Sequence, residues 1–475
     1  MLIPFLGIIA SLCFLVVMAY RGHSVIVFAP IAALIAVLFS AAPVMGTYTQ
    51  IFMPALGNFI TKYFPLFLFG AIFGHLMTHT GLAAKLAQGI STLFGPKRAL
   101  LSTVIATTLL TYGGVSAWVV AFTIVPIASA LFRQANVPKR LMPAALALGT
   151  ITFALAALPG SPQVHNAIPT TYFETDTYAA PIFGGVSAAI MMVTGMTWLE
   201  FRLRRLRSQG EDYLPPGEKD EESHDSEPDG AGQAITTKPS TAIQGLQGLL
   251  PILVVIIANF SFVYYFSDKL DTAYLAEEKY GETSLQSLLG VWSPTIALAA
   301  AILTIILMHP RAIVEIAKEL SEGAKTALLP CFTTASEVGY GAVIASLAVF
   351  TAVKSNMLEI SDNALVVSAV SAAVISGITG SSSGGLSITM ETLGDQLAEL
   401  AATQGISAEL MHRVTAMASV SFDSLPHNGA VLTILIVCGM THRKSYNDLG
   451  VVTVIIPLTT LLLMLGIYSV FPALI

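Results

Sequence analysis

Long stretches of this chain carry no Lys, Arg, Asp or Glu, among them residues 22–61, 63–84, 99–132, 141–173, 177–199, 239–267, 283–310, 363–390 and 449–475. A helix needs roughly 20 apolar residues to cross the hydrocarbon of a bilayer, and charge-free runs of that length locate such helices. Only 11% of the residues are charged and 54% are hydrophobic, where soluble domains carry about a quarter charged. So few charges could not cover a water-exposed surface, which excludes a soluble enzyme. A net charge of −6 without a long basic tract excludes a nucleic-acid partner. A transmembrane barrel would alternate polar and apolar residues in short segments, and these runs do not alternate. The fold class is therefore an all-α polytopic membrane protein, with the lipid bilayer as its solvent.

Spans are expected near 2–20, 24–43, 63–80, 141–166, 180–200, 247–266, 289–308, 326–350, 413–440 and 449–471. The stretch Met1–Tyr20 lacks a basic start and outlasts the apolar part of a signal peptide, so it reads as a span. Two runs fit no single crossing. Residues 99–132 have TYGGVS (111–116) in the middle, and residues 363–390 have GITGSSSGG (377–385) in the middle. Each is too long for one helix, too short for two spans and a turn, and broken where helix propensity is lost. Both are expected to be re-entrant hairpins, a geometry tolerated only inside protein or beside water. Threading the chain with the N-terminus outside leaves Lys62, Lys269, Lys279, Lys354 and Arg413 outside and the other 18 of the 23 basic residues inside. That asymmetry obeys the positive-inside rule only if each hairpin returns to the side it left. Both termini are then outside.

The acidic stretch at 208–244, with EDYLPPGEKDEESHDSEPDG at 211–230, cannot bury a core and reads as a disordered cytoplasmic linker. It separates a first repeat (1–207) from a second (245–475). Each repeat has two plain spans, then one with a Pro-containing start (FPLFLFG at 64–70, LLPCFTT at 328–334). Each continues with a glycine-centred hairpin, a broken span and a closing span. The broken spans share Leu-Pro followed by His-Asn: LPGSPQVHN (158–166) and SLPHN (424–428). Because the first half starts outside and the second inside, the plan runs through the membrane twice in opposite senses. Inverted repeats with matched helix breaks point to a substrate site near the midplane of a secondary transporter.

Broken helices present N-terminal N–H groups and a favourable dipole to an anion. The candidate substrate ligands follow. The first tip and break offer Thr111, Gly113, Gly114, Ser116, Ser161, Gln163, His165 and Asn166. The second offer Thr379, Gly380, Ser381, Ser382, Ser383, Gly384, Gly385, Ser424, His427 and Asn428. Asp423 is the sharpest candidate for ion coupling, since it stands alone in an otherwise uncharged stretch and a carboxylate at that depth is costly. His427, four residues on, could share its proton, and Glu337 is the second acid. His75 and His79 are expected at the interface and Glu391 at a hairpin end. No Lys or Arg falls inside a confident span, which favours a small hydroxylated monocarboxylate over a di- or tricarboxylate. Cys13, Cys331 and Cys438 have no metal-site spacing, and neither metal nor cofactor is expected.

The motifs DSLPHNGAV (423–431), TGSSSGGLSI (379–388), LTYGGVS (110–116) and ALPGSPQ (157–163) resemble the gluconate permease family, closest to its hydroxybutyrate permease branch. The resemblance covers nearly the whole chain. It implies an inverted-repeat carrier of the ion-transporter superfamily. Such a carrier would be a proton-coupled symporter of a gluconate- or 3-hydroxybutyrate-type acid in a bacterial inner membrane, with both termini periplasmic, working as an elevator-type homodimer. Sodium in place of the proton is the alternative. Ser421 or Ser424 with His427 and Asp423 also supplies the residue types of an intramembrane hydrolase. These crowd one short segment, however, and no GxSxG elbow is present. A channel would not need two inverted halves.

Overall fold

The computed structural model describes residues 2–21, 23–213, 242–350, 361–426 and 428–471, and all regular structure among them is helical. In the first half, α1 (Leu2–Tyr20) and α2 (Val25–Phe39) precede a long α3 (Val44–His79). Next come a short α4 (Leu82–Phe94), α5 (Ala99–Tyr112), α6 (Ala117–Gln134), α7 (Lys139–Ala156), α8 (Val164–Phe173) and α9 (Pro181–Ser208). The second half has α10 (Ala242–Ser261), α11 (Leu285–Met308) and α12 (Ile313–Ser346). It ends with α13 (Ala364–Thr379), α14 (Ser382–Thr403), α15 (Ala408–Ser419), α16 (Gly429–Val437) and α17 (His442–Val470).

Seven of these segments are long and apolar enough to cross a membrane: α3, α7, α9, the stretch Gly245–Lys269 that continues α10, α11, α12 from Val314, and α17. Large apolar side chains such as Val193, Ile257, Leu303 and Leu307 stand exposed on their flanks, where water would make them costly and lipid does not. The chain is an all-α polytopic membrane protein. The expected hairpins fall on α5–α6 and α13–α14. Their first limbs have 14 and 16 residues, a rise of about 21 and 24 Å at 1.5 Å per residue, short of the hydrocarbon thickness.

Several boundaries differ from expectation. Helix α3 begins at Val44 instead of 63, because a π-turn at Tyr48–Phe52 lets it run on through Pro54 and Pro65. Lys62 is therefore mid-helix, over the rings of Tyr63 and Tyr172 at 5.6 and 5.2 Å, and not in an outer loop. Helix α4 was not among the expected spans. It buries a stripe of Leu82, Ala83, Leu86, Ala87 and Ile90 and packs on α10, where Gly89 meets Gly245. The linker is shorter than 208–244. Residues 208–213 are tied down, with Lys139 N donating to Tyr213 O at 3.0 Å and Asn136 Nδ2 to Asp212 at 2.6 Å. Residues 242–244 belong to α10, and 214–241, with Lys354 and the rest of 351–360, lie outside the described residues.

The packing repeats itself with roles exchanged. Helices α3 and α12 form the central pair, close enough that Gly339 abuts Phe52 and Gly323 abuts Ile72 and His75. Helix α2 packs on α12 as α11 packs on α3, and α1 packs on α2 as α10 packs on α11. Helix α8 lies on α14 as α16 lies on α6, while α9 and α17 pair with each other. His75 and His79 face Glu319 and Glu315 of α12, with His75 Nε2 2.8 Å from Glu319 Oε2. Glu391 sits within α14, not at a hairpin end, and accepts from the Tyr172 hydroxyl at 2.8 Å.

Candidate functional site

The first break separates Ala156, where α7 ends, from Val164, where α8 begins. Pro159 and Pro162 deny this stretch two backbone donors, and Gly160 turns it at φ +77°. The facing hairpin turns through Gly113 and Gly114, the latter at φ +93°, a conformation glycine adopts without strain. Ser116 then caps α6. Break and tip are stitched together. Gln163 Nε2 donates to Thr111 O at 2.7 Å and to Val115 O at 3.2 Å, and Tyr112 OH donates to Pro159 O at 2.7 Å. Apolar groups complete the packing: a Cβ on Gly113 would press on Ile252, and one on Gly114 would meet Leu298 and Pro162.

The second break separates Ser419 from Gly429, and its hairpin turns at Gly380, φ +65°. Asn428 Nδ2 donates to Gly380 O at 2.8 Å, while its Oδ1 caps α16 through Val431 N at 2.8 Å. Tyr446 OH donates to Ser424 O at 3.1 Å, and His442 Nε2 lies 2.9 Å from Pro426 O. Ser381 caps α14 through Gly384 N at 3.1 Å. Two buried acids meet the N-terminus of that helix. Asp423 accepts from Ser424 Oγ at 2.8 Å and lies near the Ser382 hydroxyl. Glu337, on α12, lies beside the Ser381 hydroxyl and directly over Gly384, where an added Cβ would collide with its Oε2. Ser382 Oγ is also 2.7 Å from His165 Nε2. The first turn of α8 therefore touches both tips: Gln163 holds the first hairpin and His165, two residues on, reaches the second. Among the described residues, His165 Nδ1, Glu337 Oε2, Thr111 Oγ1 and Ser376 Oγ are buried without a hydrogen-bond partner. Buried polar atoms left unpaired are uncommon and mark places a ligand would satisfy.

The matched His-Asn pairs do not occupy matched places. The residue preceding the second half-helix is Gln163 in one break and Asn428 in the other, so Gln163 is the counterpart of Asn428 and the two motifs are offset by three positions. Asn166 is fully buried and committed to the fold. It donates to Ser161 O and Thr177 O and accepts from Arg413. Ser161 Oγ bonds Ala154 O at 3.1 Å, Thr379 Oγ1 bonds Ile375 O at 2.9 Å, and Gly385 packs against Ser376 of the other hairpin limb. Ser383 Oγ lies 3.4 Å from Thr334 Oγ1. His427 lies outside the described residues. The hydrogen-bond partner seen for Asp423 is Ser424, and the His beside the nearby Ser382 is His165.

Arg413 overturns its expected place. It lies in α15, fully buried, and not in an outer loop. Nη1 donates to Ala156 O at 2.7 Å and to Asn166 Oδ1 at 2.8 Å. Nη2 donates to Thr177 O at 3.1 Å and Ala179 O at 2.9 Å, and Nε to Ala179 O at 3.0 Å. Its neighbour His412 bridges Thr175 Oγ1 (2.7 Å) and Asn166 Oδ1 (3.2 Å). The sequence signal was slight: one Arg opening a long stretch whose other charge is Asp423. Among the described residues no group of three His, Cys, Asp or Glu is placed to hold a metal ion.

Comparison with known proteins fits this architecture. The family model described as GntP family permease matches residues 1–471. The uncharacterized transporter YxjC of Bacillus subtilis (strain 168) is 40% identical over 457 residues, covering 94% of this chain and 95% of that protein.

Proposed function

The chain belongs to the GntP family of permeases, a membrane transporter and not an enzyme, and we propose that it couples uptake of a small hydroxylated monocarboxylate, of the gluconate or 3-hydroxybutyrate type, to a proton. The observation that carries this reading is the second hairpin tip. The N-terminal end of α14 attracts an anion through its free N–H groups and dipole. Yet Asp423 and Glu337, both buried, stand at that same end. With both acids ionised, their field opposes a substrate carboxylate. An ionised carboxylate buried in this way also costs several kcal/mol unless a cation neutralises it. A cation delivered to the acids removes the repulsion and leaves the helix end free to hold the substrate, which is the logic of symport. Ser382, bonded to His165 and near Asp423, sets the acid of the second half and a histidine of the first on either side of one hydroxyl.

The substrate class follows from what the site lacks. Arg413 spends its N–H groups on backbone and amide oxygens, so it offers no donor to a second or third substrate carboxylate. Hydroxyls on Ser381, Ser382 and Ser383 suit a hydroxylated acid. In this reading the two hairpins are re-entrant from opposite faces, both termini are periplasmic, and the chain works in a bacterial inner membrane. The hairpins and broken helices form an elevator-like carrier moving against the plain spans of a homodimer. The two repeats are 1–207 and 245–475.

The test is uptake in proteoliposomes with 3-hydroxybutyrate, gluconate, lactate and citrate, with and without an imposed pH gradient. Saturable uptake of a hydroxy acid, collapsed by a protonophore, is expected. Uptake driven by a sodium gradient alone would assign the coupling to sodium, and indifference to both gradients would refute symport. Cysteine labelling of the hairpin flanks tests the topology, since flanks on different sides of the membrane would remove the re-entrant tips.

A further inference from the structure

The arginine at the first break takes no part in the coupling just described, and its surroundings are unusual. Helix α7 ends inside the protein, at Ala156. A helix C-terminus carries partial negative charge and unpaired carbonyls. In membrane carriers, half-helix C-termini and unwound backbone carbonyls are the groups that take up a monovalent cation. Here one helix-terminal carbonyl (Ala156), two loop carbonyls (Thr177, Ala179) and one amide oxygen (Asn166) converge on a single group, the Arg413 guanidinium, at 2.7–3.1 Å. All four oxygens are neutral. Two carboxylates feel the charge, Asp176 and Glu409, but both are engaged with backbone. Asp176 Oδ1 accepts from Tyr178 N at 2.6 Å and Glu409 Oε2 from Ala180 N at 3.2 Å. A buried guanidinium with no direct carboxylate is costly unless dipoles compensate it. This oxygen set supplies that compensation as it would for a metal cation.

We propose that Arg413 is a resident cation of the first break. It fills, permanently and from the second half of the chain, the place where this broken helix would otherwise bind a monovalent metal ion. The first break then carries no transported cation, and coupling is confined to the acids at the second hairpin tip. The binding part of this proposal stands on the oxygen set alone, while its consequence for stoichiometry rests on the symport reading.

Two measurements test it. The first uses the unaltered protein: flux-ratio measurements in proteoliposomes are expected to give no more cations per monocarboxylate than the two acids of the second tip can carry, one or two, and three would overturn the proposal. The second uses purified Arg413→Ala. Its melting temperature is expected to rise saturably with Na⁺, Li⁺ or K⁺ against a choline reference, while the unaltered protein shows no such shift. A folded Arg413→Ala that responds to none of these ions overturns the proposal, because a merely structural arginine leaves no cation site behind. If Arg413→Ala does not fold, the stoichiometry decides. If uptake by the unaltered protein ignores every ion gradient, the symport reading falls and the melting shift of the variant still decides on Arg413.

Discussion

The two hairpin tips share a backbone plan and differ in chemistry. Each turns on glycine, starts its second limb with a serine cap, and is held by an amide side chain from the neighbouring break. Around the first tip, apart from the Tyr112 hydroxyl on Pro159 O, the neighbours are apolar: Ile252, Leu298 and Pro162, with Gly70 against Gly114 O. Around the second they are Glu337, Asp423, His165 and a run of hydroxyls. The matching charge is displaced, since the first break holds a buried arginine where the second holds a buried aspartate. A duplicated scaffold thus carries one tip suited to anchoring and one suited to binding. Substitutions at corresponding places should therefore have unequal effects.

The largest inequality is expected at glycine. A side chain on Gly384 collides with Glu337 Oε2 and crowds Ser381 Oγ. Because Glu337 is the flexible end of a side chain, it can move, so Gly384→Leu should abolish uptake while leaving a folded protein in size-exclusion and melting assays. Gly113→Ala presses on Ile252 at 3.0 Å and on the Leu109 carbonyl at 3.2 Å, tight contacts without overlap, and should retain substantial uptake. Full activity of Gly384→Leu would contradict a ligand-contacting second tip.

Next is the acid itself. Asp423→Asn keeps size and hydrogen bonding but cannot exchange a proton, so concentrative uptake should vanish while substrate counterflow persists. Normal accumulation by Asp423→Asn would move the coupling role to Glu337 or His165. A smaller effect is expected from Ser382→Ala, which removes the hydroxyl between His165 and Asp423 and leaves the buried His165 Nε2 without its partner. That loss is worth about 1–3 kcal/mol, hence roughly ten- to a hundredfold in initial uptake rate. An unchanged pH profile of uptake for Ser382→Ala would remove the relay and leave Asp423 acting alone.

Much of this arrangement was legible in the sequence, for a physical reason. Absence of charge over a helix length and a cluster of Gly, Ser and Thr inside it are local signals. They placed the turns of α5–α6 and α13–α14 inside the expected Gly/Ser/Thr clusters, while the breaks, expected at 158–166 and 424–428, begin after Ala156 and end before Val164 in the first case and begin after Ser419 in the second. What was not legible depends on distant packing. The contact between His165 and Ser382 joins residues 217 positions apart, and no local pattern specifies it. Arg413 was misplaced because an arginine at the edge of an apolar run ordinarily marks a water-facing end. Its carbonyl partners lie in the other half of the chain. The paired His-Asn motifs misled for a related reason. Likeness of letters aligned Asn166 with Asn428, whereas the helix starts align Gln163 with Asn428. Helix α4 escaped because its buried stripe is amphipathic and its length is short of a span.

The smallest expected effect is also the most direct comparison of the tips, since it changes the same residue type at the same place. Ser116 caps α6 through Val119 N at 3.5 Å, a long contact, whereas Ser381 caps α14 through Gly384 N at 3.1 Å and also adjoins Glu337. Removing an N-cap hydroxyl costs about 0.5–2 kcal/mol, and a contact as long as that of Ser116 belongs at the low end. Ser116→Ala should therefore lower the melting temperature slightly and leave initial uptake rates near those of the unaltered protein. Ser381→Ala loses a better cap and disturbs the acid beside it, so its uptake should fall further than its stability does. Equal losses of uptake in the two variants would mean that the first tip also takes part in binding, and the division of labour between the halves would have to be abandoned.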